Sequence, residues 1–169
     1  MKNLLNPIEI VRDIEGFSNY TISNDGKIYS KIKKIYRKCH YNPQGYLQLR
    51  LKQNGKNENI CVHRLVAEHF LPNPENKRCI DHIDKDKKNN NMWNLRWCTN
   101  GENMSNRGKQ QNNTSGFKGV TFNKERNKWQ AQIQVEKVYK SLGRFDTKEK
   151  AYEAYCDACI KYHKEFAHF

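Results

Sequence analysis

Long hydrophobic runs are missing from this chain. Apolar residues make up only 36% of it, and no stretch of them approaches the roughly 20 residues that span a bilayer. The opening Met1-Lys2-Asn3-Leu4-Leu5-Asn6-Pro7 breaks too early for a charged-then-apolar leader. These absences speak against a membrane protein or a secreted one, and the expectation is a soluble protein in the cytoplasm of the host cell. Paired cysteines are missing too. Cys39, Cys61, Cys79, Cys98, Cys156 and Cys159 are scattered, and Cys156-x-x-Cys159 has no matching second pair to signal a zinc cage. They read as reduced, mostly buried thiols. Acidic residues are scarce, 18 against 31 Lys and Arg, for a net charge of +13. A field of that sign draws polyanions, of which nucleic acid is the commonest. With so little apolar material in 169 residues, the cores should be small and several.

Chemistry concentrates between Cys79 and Asn106, CIDHIDKDKKNNNMWNLRWCTNGENMSN. Hydrolysis of a phosphodiester needs a hard metal on oxygen ligands, a base for water, and a fixed orientation for that base. Asp81 offers a carboxylate oxygen and Asn103 a carboxamide oxygen as metal ligands. His82 is the candidate base, and Asn94 can hold its imidazole through side chain or backbone carbonyl. An all-oxygen metal site favours Mg²⁺ or Mn²⁺ over Zn²⁺. Ile80 and Ile83 flank the Asp-His pair in a short strand. The Asp, Lys and Asn run of residues 84–91 is a loop, and Leu95 and Trp97 begin a returning strand. Thr99-Asn100-Gly101-Glu102 has the Thr-x-x-Glu form of a capping box, which starts a helix with Asn103 in its first turn. This order of strand, loop, strand and helix resembles the HNH nuclease motif, a ββα-metal fold, in its variant with Asn as the last ligand.

Ahead of it, Tyr20-Thr21-Ile22-Ser23 and Lys27-Ile28-Tyr29-Ser30 flank Asn24-Asp25-Gly26, a hairpin signal. The basic stretch of residues 31–38 could follow a phosphate backbone or be the solvated face of a strand. Residues 45–52 alternate, with Leu47, Leu49 and Leu51 on one face. Asn54-Gly55 turns the chain, and residues 63–70 have helical spacing. His63 and His69 read as packed or carbonyl-bound histidines rather than ligands. ISNDGKIYS and VHRLVAEHF resemble the N-terminal module of phage-type HNH proteins.

The last third changes character. Residues 116–124, 128–135 and 140–145 read as three strands, and residues 147–163 as a helix that lays its alanines on the sheet. Lys128, Gln130, Gln132 and Gln134 share the opposite face. Gly116-Phe117-Lys118-Gly119-Val120, Lys128-Trp129-Gln130-Ala131-Gln132-Ile133 and Leu142-Gly143-Arg144-Phe145-Asp146-Thr147 resemble the Apetala-type DNA-binding domain of plant ethylene-response factors. Such a sheet can enter a major groove, where Gln reads adenine and Lys or Arg reads guanine.

The fold class is therefore α+β, divided as a β module over 1–60, a ββα-metal nuclease core over 61–106, a linker over 107–115 and a DNA-binding domain over 116–169. The resemblances imply a homing-type endonuclease that hydrolyses double-stranded DNA with one Mg²⁺ or Mn²⁺, acting as a monomer that nicks one strand. DNA contacts are expected from Lys85, Lys87, Lys88 and Arg96 beside the site and from Arg107 and Lys109 in the linker. Lys118, Thr121, Arg126, Lys128, Gln130, Gln132 and Arg144 would supply them in the last domain. A non-catalytic DNA-binding regulator with a decayed nuclease motif is the alternative, and a ribonuclease is a third reading.

Overall fold

The computed structural model describes residues 8–105 and 113–167, and the chain divides into two compact units, residues 1–97 and 98–169. In the first, β1 (Val11–Asp13), β2 (Tyr20–Ser23), β3 (Ile28–Ser30) and β4 (Ile35–Tyr36) form one antiparallel sheet in that order. A second antiparallel sheet joins β5 (His40–Tyr41), β6 (Leu47–Gln53) and β7 (Lys56–Cys61). The expected Asn54-Gly55 turn is made by two residues at positive φ, 50° and 77°, the geometry that matches strand twist in a tight hairpin. β7 runs straight into α1 (Val62–Phe70). β8 (Cys79–His82) and β9 (Leu95–Cys98) then make a two-stranded sheet.

Ile14, Ile22, Ile28, Leu49, Leu51, Val62, Val66, Ile80 and Leu95 belong to a single buried cluster. The hairpin module and the strand carrying Asp81 and His82 thus share a core, and the joint between residues 60 and 61 lies within it. β1, β4 and β5 escape sequence reading because two or three residues are too few to show a period.

In the second unit α2 (Asn100–Ser105) starts on the expected capping box: the Glu102 carboxylate accepts from the Thr99 N–H (2.6 Å), and the Thr99 hydroxyl accepts from the Glu102 N–H (3.2 Å). β10 (Val120–Asn123), β11 (Lys128–Val135) and β12 (Val138–Phe145) form an antiparallel sheet against α3 (Lys148–His163). Ala151, Tyr155, Ala158 and Cys159 are the buried face of α3, with Val120, Ala131 and Ile133 buried on the sheet. The expected first strand starts late because Gly116 and Gly119, both at positive φ, turn the chain while the Ser115 hydroxyl donates to carbonyls of Phe117 and Val120.

Gly119 also fits under a ring: a Cβ there would lie 2.1 Å from the Tyr155 side chain and 2.8 Å from the Gln132 carbonyl oxygen. Overpacking and left-handed backbone act together, so Gly119→Ala is expected to destabilise the second unit by about 3 kcal/mol. Urea unfolding of wild type and variant measures it, and a loss under about 1 kcal/mol would show that Tyr155 yields easily.

Candidate active site

Asp81 and His82 end β8, and both are 5% exposed. Opposite them on β9, Arg96 directs Nε (2.9 Å) and a terminal nitrogen (2.8 Å) onto Oδ2 of Asp81. Arg96, expected to face phosphates, is here the ion-pair partner of the candidate metal ligand. Breaking such a pair from one side is costly, since it leaves a shielded charge unmatched.

His82 Nε2 lies 3.2 Å from Oδ1 of Asn90. The amide orientation is fixed by its other end, where Nδ2 of Asn90 donates to the Lys88 carbonyl (3.1 Å). An amide oxygen only accepts, so the neutral imidazole carries its proton on Nε2 and its lone pair on Nδ1. Asn90, 4% exposed, is the residue that sequence reasoning missed. Three asparagines stand in a row at 89–91, and nothing local distinguishes the one that faces inward.

Asn94 grips the chain that follows His82. Its Nδ2 donates to Oδ1 of Asp84 and to the Asn89 carbonyl, both at 2.8 Å, and its Oδ1 accepts from the Asp84 N–H (3.0 Å). Its backbone carbonyl accepts from the Ile83 N–H (2.8 Å). Asn94 therefore fixes backbone next to His82. Asp84 ties the same loop by accepting from the Asp86 N–H (2.8 Å) and the Asn89 side chain (2.7 Å). Burial pushes the Asp84 carboxyl up, but the hydrogen bonds from Asn89 and Asn94 outweigh it and hold the group below its ordinary range. The polar run is a self-bonded scaffold.

Two further rings meet His82. His63, on α1, has its centroid 5.3 Å away, and Tyr46 lies 4.8 Å from His63 and 6.0 Å from His82. Burial, with the neighbouring His82 and Arg64, lowers the pKa of His63 to about 4. An imidazole that resists its proton in the fold but accepts it when unfolded stabilises the fold fully above pH ~6.5 and loses that contribution between ~6.5 and 4. Stability at pH 4 is thus expected to fall by about 3 kcal/mol more in wild type than in His63→Phe. Chemical denaturation at pH 7 and pH 4 measures the difference, and parallel losses would contradict it. His69 donates from Nδ1 to the Leu65 carbonyl (2.8 Å) and accepts at Nε2 from the Glu15 N–H (3.0 Å). It is a structural tie.

Lys87 donates to the Gln44 carbonyl (2.8 Å) and lies 4.4 Å above the Tyr46 ring. Lys88 sits over Tyr41 at 5.9 Å, and Lys85 is exposed at positive φ. In the second unit Thr121, Gln130 and Arg144 are consecutive cross-strand partners. Gln132 pairs with Ser141, Lys128 is ion-paired to Asp146, Arg126 is exposed and Lys118 is half-buried. Asn103 is half-buried in α2, its N–H donating to the Thr99 carbonyl (3.0 Å). Arg107, Lys109 and most of the expected linker lie outside the described residues. Among the described residues no disulfide joins any of the six cysteines, no group of three or more His, Cys, Asp or Glu is placed to hold a metal, and no helix is long and apolar enough to cross a membrane.

Residues 61–105 match the HNH endonuclease family model, and residues 9–52 match the NUMOD4 motif. The segment around Asp81 and His82 is therefore of the HNH endonuclease family, preceded by a NUMOD4 motif. Among particular proteins, the chain is similar to an uncharacterised HNH endonuclease of Acanthamoeba polyphaga mimivirus, 43% identical over 54% of this chain and 28% of that protein. It is similar also to the DNA endonuclease I-HmuI of Bacillus phage SP01, 42% identical over 57% of this chain and 58% of that one. The chain thus spans less than two thirds of these relatives' length. The solved structure describing DNA binding and cleavage by the HNH homing endonuclease I-HmuI aligns over 92% of this chain and 91% of that one, with TM-score 0.55 and 26% identity.

Proposed function

We propose that the protein is a homing-type DNA endonuclease that nicks one strand of a duplex by metal-dependent hydrolysis. The observation that carries this reading is the buried Asp81-His82 pair, its carboxylate clamped by Arg96 and its imidazole fixed in one tautomer by Asn90. The similarity to I-HmuI supports DNA as the substrate.

The donor chemistry fits a hard divalent cation: a carboxylate oxygen from Asp81 and an amide oxygen from Asn103 suit Mg²⁺ or Mn²⁺, which keep water and phosphate as their other ligands. Such an ion, when bound, supplies charge neutralisation at the scissile phosphate and leaving 3′ oxygen. His82 accepts the proton of the attacking water at Nδ1, the nitrogen that the Asn90 contact leaves with its lone pair. Asn94 holds the backbone after His82, so the lone pair keeps one direction. Lys85, Lys87 and Lys88 neutralise neighbouring phosphates.

The last unit is the Apetala-type DNA reader in this proposal, its three-stranded sheet offering the Thr121, Gln130 and Arg144 row away from the helix. Gln130→Ala is expected to weaken preference for one base pair by about 1–3 kcal/mol while leaving the rate of bond cleavage at saturating DNA unchanged. Binding to a randomised duplex library reads this, and unchanged preference would remove the sheet from recognition.

The test of the whole is strand-resolved cleavage of duplex DNA with Mg²⁺, with Mn²⁺ and with EDTA, alongside RNA. Nicks that require the metal support the reading. DNA binding without any metal-dependent cleavage would favour the regulator, and preferential RNA cleavage the ribonuclease.

A further inference from the structure

We propose that Tyr46 and His63 are positioning residues that hold the ring plane of His82, which makes the N-terminal module part of the reaction centre and more than a grip on DNA. The inference rests on the nuclease reading above. Three rings from separate elements converge: Tyr46 just ahead of β6, His63 on α1, and His82 at the end of β8. Tyr46 is nearly parallel to His82, at 29°, whereas His63 meets it at 60°. A hydrogen bond at Nε2 fixes one ring atom and by itself does not set the ring plane. Two rings with centroids 6.0 and 5.3 Å away restrict that plane.

His63 gives a second observation. It is 9% exposed, and its Nδ1 is buried without a hydrogen-bond partner among the described residues. An unmatched buried nitrogen costs about 1–3 kcal/mol, so hydrogen bonding by Nδ1 does not explain this residue's place in the fold. The ring itself does. Its lowered pKa, about 4, keeps it uncharged beside His82 near neutral pH.

The module also grips the loop that orients the base. The Met92 N–H donates to the Asn24 carbonyl (2.8 Å). Gly26 leaves room at the hairpin turn: a Cβ there would lie 2.9 Å from Val62 Cγ1 and 3.2 Å from Cβ of Asn90, the residue that holds His82 Nε2. Lys87 closes the same joint through the Gln44 carbonyl and the Tyr46 ring. Contacts from residues 24, 26, 44 and 46 thus converge on the base or on the loop that orients it.

The experiment compares Tyr46→Ala, Tyr46→Phe, His63→Ala and His63→Phe in the full-length protein. Metal-dependent nicking, duplex DNA affinity, urea unfolding, and the imidazole ¹⁵N signals of His82 in metal-free protein are measured for each. The alanine variants are expected to lose about 10²-fold in kcat, with DNA affinity held within about twofold of wild type, and to show exchange-broadened His82 ring signals while Nε2 keeps its proton. The phenylalanine variants, which keep a ring, should restore both kcat and the sharp His82 signals. Alanine variants that nick at the wild-type rate would overturn the inference, as would kcat lost only in step with stability and DNA affinity. If wild type does not nick, the nuclease reading fails on its own. The ¹⁵N signals then decide the positioning role: an unchanged His82 pattern in the alanine variants overturns it.

Discussion

His82→Ala is expected to lower metal-dependent nicking by about 10²–10⁴-fold, the range a positioned general base contributes, while duplex affinity stays within about twofold. Affinity should persist because His82 is buried and the cations that face solvent are untouched. The substitution removes a partner of Oδ1 of Asn90 and opens space beside His63, so some stability goes with it. His82→Gln keeps a polar group towards Asn90 yet supplies no basic nitrogen, and it should be as inactive as the alanine variant. Appreciable cleavage by either protein, measured in single-turnover assays at saturating DNA, would remove His82 from the role of base.

Asp81→Ala should combine two losses that can be read separately. Cleavage is expected to fall by about 10³-fold or more, since a metal ligand contributes several kcal/mol to the transition state. Stability is expected to fall by about 3 kcal/mol, because the Arg96 side chain, only 17% exposed, loses the Asp81 carboxylate. Asp81→Asn keeps an oxygen for Arg96 and should be just as inactive with a smaller loss of stability. The double variant Asp81→Ala with Arg96→Met removes the stranded charge, so it should recover stability and remain inactive. Urea unfolding beside the nicking assay distinguishes these outcomes. A double variant no more stable than Asp81→Ala would mean that the ion pair is not what costs the single variant its stability.

What the amino-acid order determined by itself is local. Asn24-Asp25-Gly26 and Asn54-Gly55 turn the chain because their residues tolerate positive φ or close an Asx bond. The alternation along β11 decides which of its residues meet α3, and Thr99 with Glu102 starts α2. The spacing of Ala151, Tyr155 and Ala158 sets the buried side of α3. Such effects act within a few residues, so a one-dimensional pattern carries them. The pairing of Asp81 with His82 is likewise visible as adjacent letters.

Tertiary structure alone decided which groups face that pair. Asn90 was indistinguishable from Asn89 and Asn91 until the loop closed on Asp84 and Asn94 and turned one amide inward. Arg96 looked like one more cation of a basic chain, yet β9 sets it against Asp81. Tyr46 and His63 are far from His82 in sequence and reach it because β6, α1 and β8 surround a common core. The physical reason is the same in each case: turn and capping preferences are properties of neighbours along the chain, whereas the surroundings of a buried ring are fixed by packing between elements that no local preference specifies.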